Sequence, residues 1–180
     1  MKIEKTKIDG LLIIHPAVFE DERGYFFESY HKKKLIEAGL DKTFVQDNLS
    51  KSMKNVLRGL HFQNPPFSQG KLVQVIKGTV LDIAVDIRKN SPTYGQHVAI
   101  ELSEHNKTLF YLPPGFAHGF LTLEDETIFS YKCTQYYNKE SEGSIRWNDS
   151  DLGINWGIND AIISEKDNLA PSFASLNSLF

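Results

Sequence analysis

Short segments of alternating apolar and polar residues, punctuated by turn residues, recur through most of this chain. Strand candidates cover Thr43–Ser50, Asn55–Gln63, Lys71–Lys77 and Thr79–Arg88, then His97–Leu102, Thr108–Leu112, Phe116–Leu123 and Thr127–Tyr137. Arg23–Tyr30 (RGYFFESY) is β-prone as well. Even spacing with few helical patterns restricts the chain to a mainly β architecture: a sandwich, a jelly roll or a small barrel. The one early helix predicted is His31–Gly39, about two turns long, with Leu35 and Ile36 apolar and Gly39 as its stop. Its Lys32, Lys33 and Lys34 read as a solvated face. Lys77-Gly78 reads as a hairpin turn. Residues 141–180, rich in Asn, Asp, Ser and Gly, predict short helices wrapped around the outside. Residues 1–180 carry no linker, repeat or low-complexity run, so one domain is expected.

Composition narrows the function. A chain of 180 residues with 41% hydrophobic and 24% charged residues can bury a core without disulfides or a structural metal. Its 20 Lys+Arg against 23 Asp+Glu give a net charge of −3, which excludes a nucleic-acid binder working by bulk positive charge. An anionic ligand would need a local cluster of cations. The single Cys133 excludes an intramolecular disulfide and a multi-cysteine zinc site. No apolar run reaches the roughly 18–20 residues of a membrane span, and Leu11–Ile14 is too short for a signal-peptide core. A cytoplasmic protein without membrane partners is the expectation.

The strongest strand is TVLDIAVDIR. Leu81, Ile83, Val85 and Ile87 share one face; Val80, Asp82, Ala84, Asp86 and Arg88 share the other. The second face is too polar for a dry core. It meets either solvent, which strand position alone favours, or the lumen of a barrel that binds something polar.

Three segments bring unusual polar groups into these β-rich surroundings. In Leu57-Arg58-Gly59-Leu60-His61-Phe62-Gln63, strict alternation puts Arg58 and His61 on opposite faces. Gly59 between them is the residue expected at a bulge, which would re-aim one of the two. The bland alternative is an edge strand with a surface arginine. In Leu112–Phe120 (LPPGFAHGF), two prolines and a glycine fix a turn from which His118 projects. The Pro-x-Gly-x-x-His spacing resembles the second motif of cupin barrels, where the histidine often ligates a metal. The first cupin motif is incomplete: His61-Phe62-Gln63 lacks the second histidine and the glutamate, so the metal site looks dismantled. In Tyr131–Tyr137, the two-residue period puts Tyr131, Cys133, Gln135 and Tyr137 on one face. Further on, Ser164-Glu165-Lys166-Asp167 has the form of a capping box, and capping is the simplest reading of Asp167 alone.

In combination these segments resemble the dTDP-4-dehydrorhamnose 3,5-epimerase family of deoxysugar-nucleotide epimerases. Phe19–Glu28 (FEDERGYFFE), Gln46-Asp47-Asn48, Val56–Gln63, Gln69–Val73, Asp86-Ile87-Arg88 with Ser91-Pro92-Thr93, and Leu112–Phe120 carry the resemblance. Tyr131 to Tyr137, Arg146–Asp149 and Ser164–Asp167 complete it, in order, from about residue 3 to residue 173. The resemblance implies a cupin-type jelly-roll barrel, assembled as a homodimer, with no metal and no cofactor. Its substrate would be a dTDP-linked 4-keto-6-deoxy sugar, inverted at C3 and C5 through loss and return of a proton beside the ketone.

The family pattern makes His61 the base, oriented by Asp167, Tyr131 the acid on the other face of the ring, and Lys71 the cation near the enolate oxygen. It assigns substrate binding to Arg23, Phe26, Glu28, Gln46, Asp47, Asn48, Arg58, His118, Tyr137, Glu142 and Lys166, some of them across the dimer. Relatives that invert C3 or C5 alone are one alternative. A metal-dependent cupin using His61, His118 and Gln63, and a non-catalytic sugar-binding sandwich, are the rivals from other classes.

Overall fold

The computed structural model describes residues 1–180, and its main body is two facing sheets. The first sheet holds β1 (Lys2–Lys5), β2 (Leu12–His15), β10 (Leu109–Leu112), β7 (Lys71–Lys77), β12 (Thr127–Cys133) and β5 (Gln46–Ser52), in that spatial order. The second runs β13 (Glu142–Ser144), β6 (Val56–Gln63), β11 (Phe116–Thr122), β8 (Thr79–Asp86) and β9 (His97–Ser103). The short β14 (Ile162–Ile163) adds to β6 in parallel; the other pairings are antiparallel. This is the jelly-roll arrangement the strand spacing allowed, and it is cupin-like. A separate two-stranded ribbon, β3 (Val18–Asp21) with β4 (Gly24–Phe27), stands apart from both sheets.

Three apolar clusters explain the layering. Between the sheets lie Val73, Val75, Val80, Ala84, Phe110, Phe120 and Phe129, among others. Phe120 and Phe129 stack across the sheets at 4.0 Å, a contact that adds about 0.5–1.5 kcal/mol to what their burial contributes. On the far side of the second sheet, Leu57, Ile83, Val85, Ile87 and Leu121 pack against Ile145, Trp147, Leu152 and Trp156 of the C-terminal wrap. On the far side of the first sheet, Leu72, Leu109 and Tyr111 are covered by Leu35 and Leu40.

Several expectations need correction. Of the two readings of the polar face of TVLDIAVDIR the structure selects the lumen over the favoured solvent: Asp82 is 0% exposed and bonds His118, which lines the space between the sheets. The C-terminal wrap claims the apolar face, so the polar one is turned inward. Lys77-Gly78 is not a hairpin. β7 pairs with β10 and β12 while β8 pairs with β9 and β11, so the chain changes sheets there. Gly78 makes this possible with φ +81 and a close approach that leaves a Cβ only 2.5 Å from Thr127 Oγ1. Strand β12 stops at Cys133, short of the expected Tyr137, because the chain is turned away by bonds from Gln69 Nε2 to the Gln135 carbonyl and from Gly70 N–H to Thr134 Oγ1. Gln135 therefore leaves the face shared by Tyr131 and Cys133.

The early helix is α1 (Lys32–Glu37), capped by His31 Nδ1, which accepts from the Lys34 N–H. Of its two apolar residues only Leu35 is buried; Ile36 is exposed. A second helix, α2 (Glu165–Asn168), is capped by Ser164 Oγ accepting from the Asp167 N–H. Capping thus falls to Ser164, and the Asp167 carboxylate is left for another use.

β6 bulges at Gly59 as foreseen. Opposite β11, His61 pairs with His118 but Arg58 pairs with Phe120, so two residues of β6 face Gly119 alone. Gly59 has φ +136, and a Cβ there would lie 2.4 Å from Gly119 Cα. Gly59→Ala should therefore destabilise the fold by about 3 kcal/mol and abolish activity. Urea unfolding checks this; a variant with wild-type stability would mean the bulge can relax at no cost.

Candidate active site

The bulge reverses the alternation downstream of Gly59, so Arg58 and His61 both reach the space between the sheets. They line a cavity of about 560 Å³ with Lys71 of β7, His118 and Phe120 of β11, Phe129 and Tyr131 of β12, and Lys166 and Asp167 of α2. A second lobe of about 160 Å³ shares His61, Lys71 and Tyr131 and adds Gln46, Asn48, Cys133, Tyr137 and Glu142. Its size and mixed lining suit a polar small molecule.

His61 Nε2 lies 2.7 Å from Asp167 Oδ1, and Asp167 Oδ2 accepts the Gly59 N–H at 3.2 Å. The bulge glycine thus also helps to hold the carboxylate that orients the histidine. Burial works to raise the Asp167 carboxyl, but the His61 bond, the His61 charge, and the Gly59 and Ser164 bonds hold it below the usual carboxylate range. With Nε2 committed to an ionised carboxylate, Nδ1 is the ring nitrogen left to take a proton.

Tyr131 projects from the opposite sheet. Burial pushes its phenol up, reinforced by Cys133 and opposed by Arg58, so it stays protonated. Lys71 Nζ sits 5.2 Å from the Tyr131 ring centroid and bonds Gln69 Oε1 at 3.0 Å. Burial lowers the pKa of its ammonium, against the pull of Cys133 and Glu142. Arg58 rests its guanidinium on Ser52 Oγ. At the rim, Lys166 Nζ pairs with Glu142 Oε2 at 2.7 Å, and the Tyr137 hydroxyl donates to the same oxygen at 3.1 Å. Burial works to raise Glu142, yet these two partners keep it below its ordinary value.

Of the residues singled out from sequence, the fold brings together His61, Lys71, Tyr131, Asp167, Gln46, Asn48, Arg58, His118, Tyr137, Glu142 and Lys166. It leaves four elsewhere. Asp47 alternates to the outer face of β5, where it pairs with Lys132. Glu28 is held by Lys34 beside α1. Arg23 pairs with Asp21, and Phe26 is 66% exposed, both on the projecting ribbon. No group of three or more His, Cys, Asp or Glu side chains is arranged to hold a metal ion. No helix is long and apolar enough to cross a membrane.

Residues 5–175 match the family profile described as dTDP-4-dehydrorhamnose 3,5-epimerase. The chain belongs to this family. The Salmonella typhimurium enzyme of that name is 54% identical over 173 residues, covering 95% of this chain and 94% of that one. The epimerase structure from Elizabethkingia anophelis superposes with a TM-score of 0.91 at 54% identity, covering 97% of each chain. The Legionella pneumophila dTDP-6-deoxy-D-glucose-3,5-epimerase, solved in complex with dTDP-4-keto-L-rhamnose, has a TM-score of 0.93 at 48% identity. It covers 98% of this chain and 94% of its own.

Sequence reasoning missed some cavity residues of this epimerase. Ser50 lines the cavity with a buried hydroxyl that has no partner, and Asp82 lies behind His118. The inward alternation of Gln46, Asn48 and Ser50 along β5 could have pointed to the first. Alternation puts Asp82 on the polar face of its strand but does not decide between solvent and lumen for that face.

The His61–Asp167 pair predicts an acid limb of stability. A carboxyl whose pKa is lowered on folding contributes stability above its unfolded value, near 3.8, and that contribution is lost as pH falls through the lower folded value. Asp167→Asn should therefore be less stable than wild type at neutral pH and flatter in its pH dependence below that value. Thermal melts across pH check it; parallel curves for the two proteins would contradict it.

Proposed function

We propose that this epimerase converts dTDP-4-dehydro-6-deoxy-D-glucose to dTDP-4-dehydro-L-rhamnose by removing and returning protons at C3 and C5. The observation that carries the residue assignment is the placement of His61 and Tyr131 on facing sheets of one cavity. A sugar ring lying between the sheets has a base above one face and a phenol on the other. Inversion needs that: a proton leaves one face and one returns to the opposite face.

His61 Nδ1 takes the proton, and Asp167 stabilises the imidazolium that results. Lys71 stabilises the enolate oxygen. Its partial burial costs it solvation, so an oxyanion beside it is strongly favoured. Tyr131, kept protonated by burial, delivers the proton from the other side. Arg58 and Lys166 meet the diphosphate, with the Lys166–Glu142 bond opening as the anion competes for the ammonium. Gln46, Asn48, Tyr137 and Glu142 in the smaller lobe bond the remaining polar groups. A cluster of cations within one cavity reconciles an anionic substrate with a chain of net charge −3.

The ribbon residues fit as contributions in trans. Arg23 and Phe26 are too exposed to serve their own chain's cavity, and a projecting ribbon is suited to reach a second copy. We read the working unit as a cytoplasmic homodimer of one jelly-roll domain per chain, with Arg23, Phe26 and Glu28 completing the partner's site.

Two experiments test this reading. In heavy water, Tyr131→Phe should still exchange substrate protons while forming inverted product about 10²–10⁴-fold more slowly; product at the wild-type rate would make Tyr131 a packing residue. Separately, Arg23→Ala and His61→Ala chains, each impaired alone, should regain activity when mixed, since one hybrid site is intact. Failure to complement in a mixed dimer would contradict the contribution of Arg23 in trans.

A further inference from the structure

The cavity contains a second histidine–carboxylate pair, directly beside the first. His118 of β11 is the cross-strand partner of His61. Its Nε2 approaches Asp82 Oδ1 at 3.0 Å and Oδ2 at 2.9 Å. Both histidines thus bind a carboxylate through the same nitrogen, and both line the same cavity.

The two carboxylates differ in what surrounds them. Asp167 accepts a backbone N–H from Gly59 besides the His61 contact, so its negative charge is shared. Asp82 is wholly buried and has no hydrogen-bond partner except His118. A lone carboxylate there, next to a neutral imidazole, would leave an uncompensated charge in a dry interior, which is strongly unfavourable. Burial accordingly raises the Asp82 carboxyl, against the His118 charge and bond. The neutral alternative is a pair holding two protons. They sit as imidazolium with carboxylate, or as imidazole accepting from a carboxylic acid. In both arrangements the inner proton lies between Nε2 and Asp82, and the second must be on Nδ1. That nitrogen makes no hydrogen bond within the chain.

We propose that Asp82 is a positioning residue that keeps a hydrogen on His118 Nδ1, making this N–H a donor to the substrate oxygen that becomes negative beside the reacting carbons. Two histidines with the same wiring then have opposite duties. His61 offers a lone pair at Nδ1 and removes a proton; His118 offers a hydrogen at Nδ1 and joins Lys71 in stabilising the enolate. Environment alone separates them. Packing supports the fixed orientation: the His118 ring lies stacked beside Phe129, with centroids 6.1 Å apart and planes 23° apart.

The role in stabilising an enolate rests on the epimerase reading; the protonation pattern does not. Nitrogen-resolved NMR of histidine-labelled wild-type protein, free of ligand and near neutral pH, should show a protonated Nδ1 on His118 and a bare Nδ1 on His61. A bare Nδ1 on His118 would overturn the proposal whatever the enzyme does. Asp82→Leu, which can neither donate to nor accept from Nε2, should then lower kcat by roughly 10²-fold with affinity for dTDP unchanged. A folded Asp82→Leu protein with wild-type kcat would also overturn it, leaving Asp82 a structural partner. Should that variant fail to fold, the wild-type spectrum still decides. Absence of any substrate deuteration by wild type would instead sink the epimerase reading and leave the spectrum to be judged alone.

Discussion

The close approach of Gly59 to Gly119 is the contact on which the site depends. Neither backbone could come so near if either residue carried a side chain: a Cβ on Gly59 would meet Gly119 Cα at 2.4 Å, and one on Gly119 would meet the Arg58 carbonyl at 2.9 Å. From this approach follow the extra residue in β6, the reversed alternation after it, and the turning of both Arg58 and His61 into one cavity. The same bulge directs the Gly59 N–H to Asp167, tying α2 to the strand that carries His61. A backbone irregularity thus places the Arg58 guanidinium, the His61 imidazole and the Asp167 carboxylate bonded to it at once.

The layering then makes the cavity work electrostatically. The C-terminal wrap, with Trp147 and Trp156, covers one side of the second sheet, and α1 with Leu40 covers the far side of the first. The remaining inner faces enclose a cavity partly shielded from solvent, where charges act more strongly than in water. In that space burial pushes the Tyr131 phenol up and the Lys71 ammonium down, while Asp167 stays ionised through its bonds. The roles proposed for Tyr131, His61 and Lys71 are thus set apart by surroundings and not by residue type alone.

Strand periodicity made much of this legible. Lys71–Lys77 is a strand with the bounds expected, and the other central strands differ only at their ends. Gly59 signalled the bulge because glycine inside a good strand pattern has few other uses. Periodicity names two faces but not what covers each, so it leaves the Asp82 face open to solvent or lumen; the C-terminal wrap, by occupying the opposite face, decides for the lumen. Turn residues likewise mark where a strand ends, not which sheet the next one joins, hence the misread at Gly78. The site list taken from the family pattern gathers in one cavity except where a residue lies on a projecting ribbon, beside α1, or on an outward position, as Arg23, Phe26, Glu28 and Asp47 do. A pattern in one sequence does not say which copy of the chain uses a residue.

At the centre of the account is a single base, aimed by the bulge and held by Asp167. Its most direct test is solvent exchange by His61→Ala. The variant, incubated with the 4-keto-6-deoxy substrate in heavy water, should incorporate no deuterium at C3 or C5, while binding dTDP as wild type does. Deuterium entering either carbon at the wild-type rate would contradict the account, because the proton would then be leaving to some group other than His61.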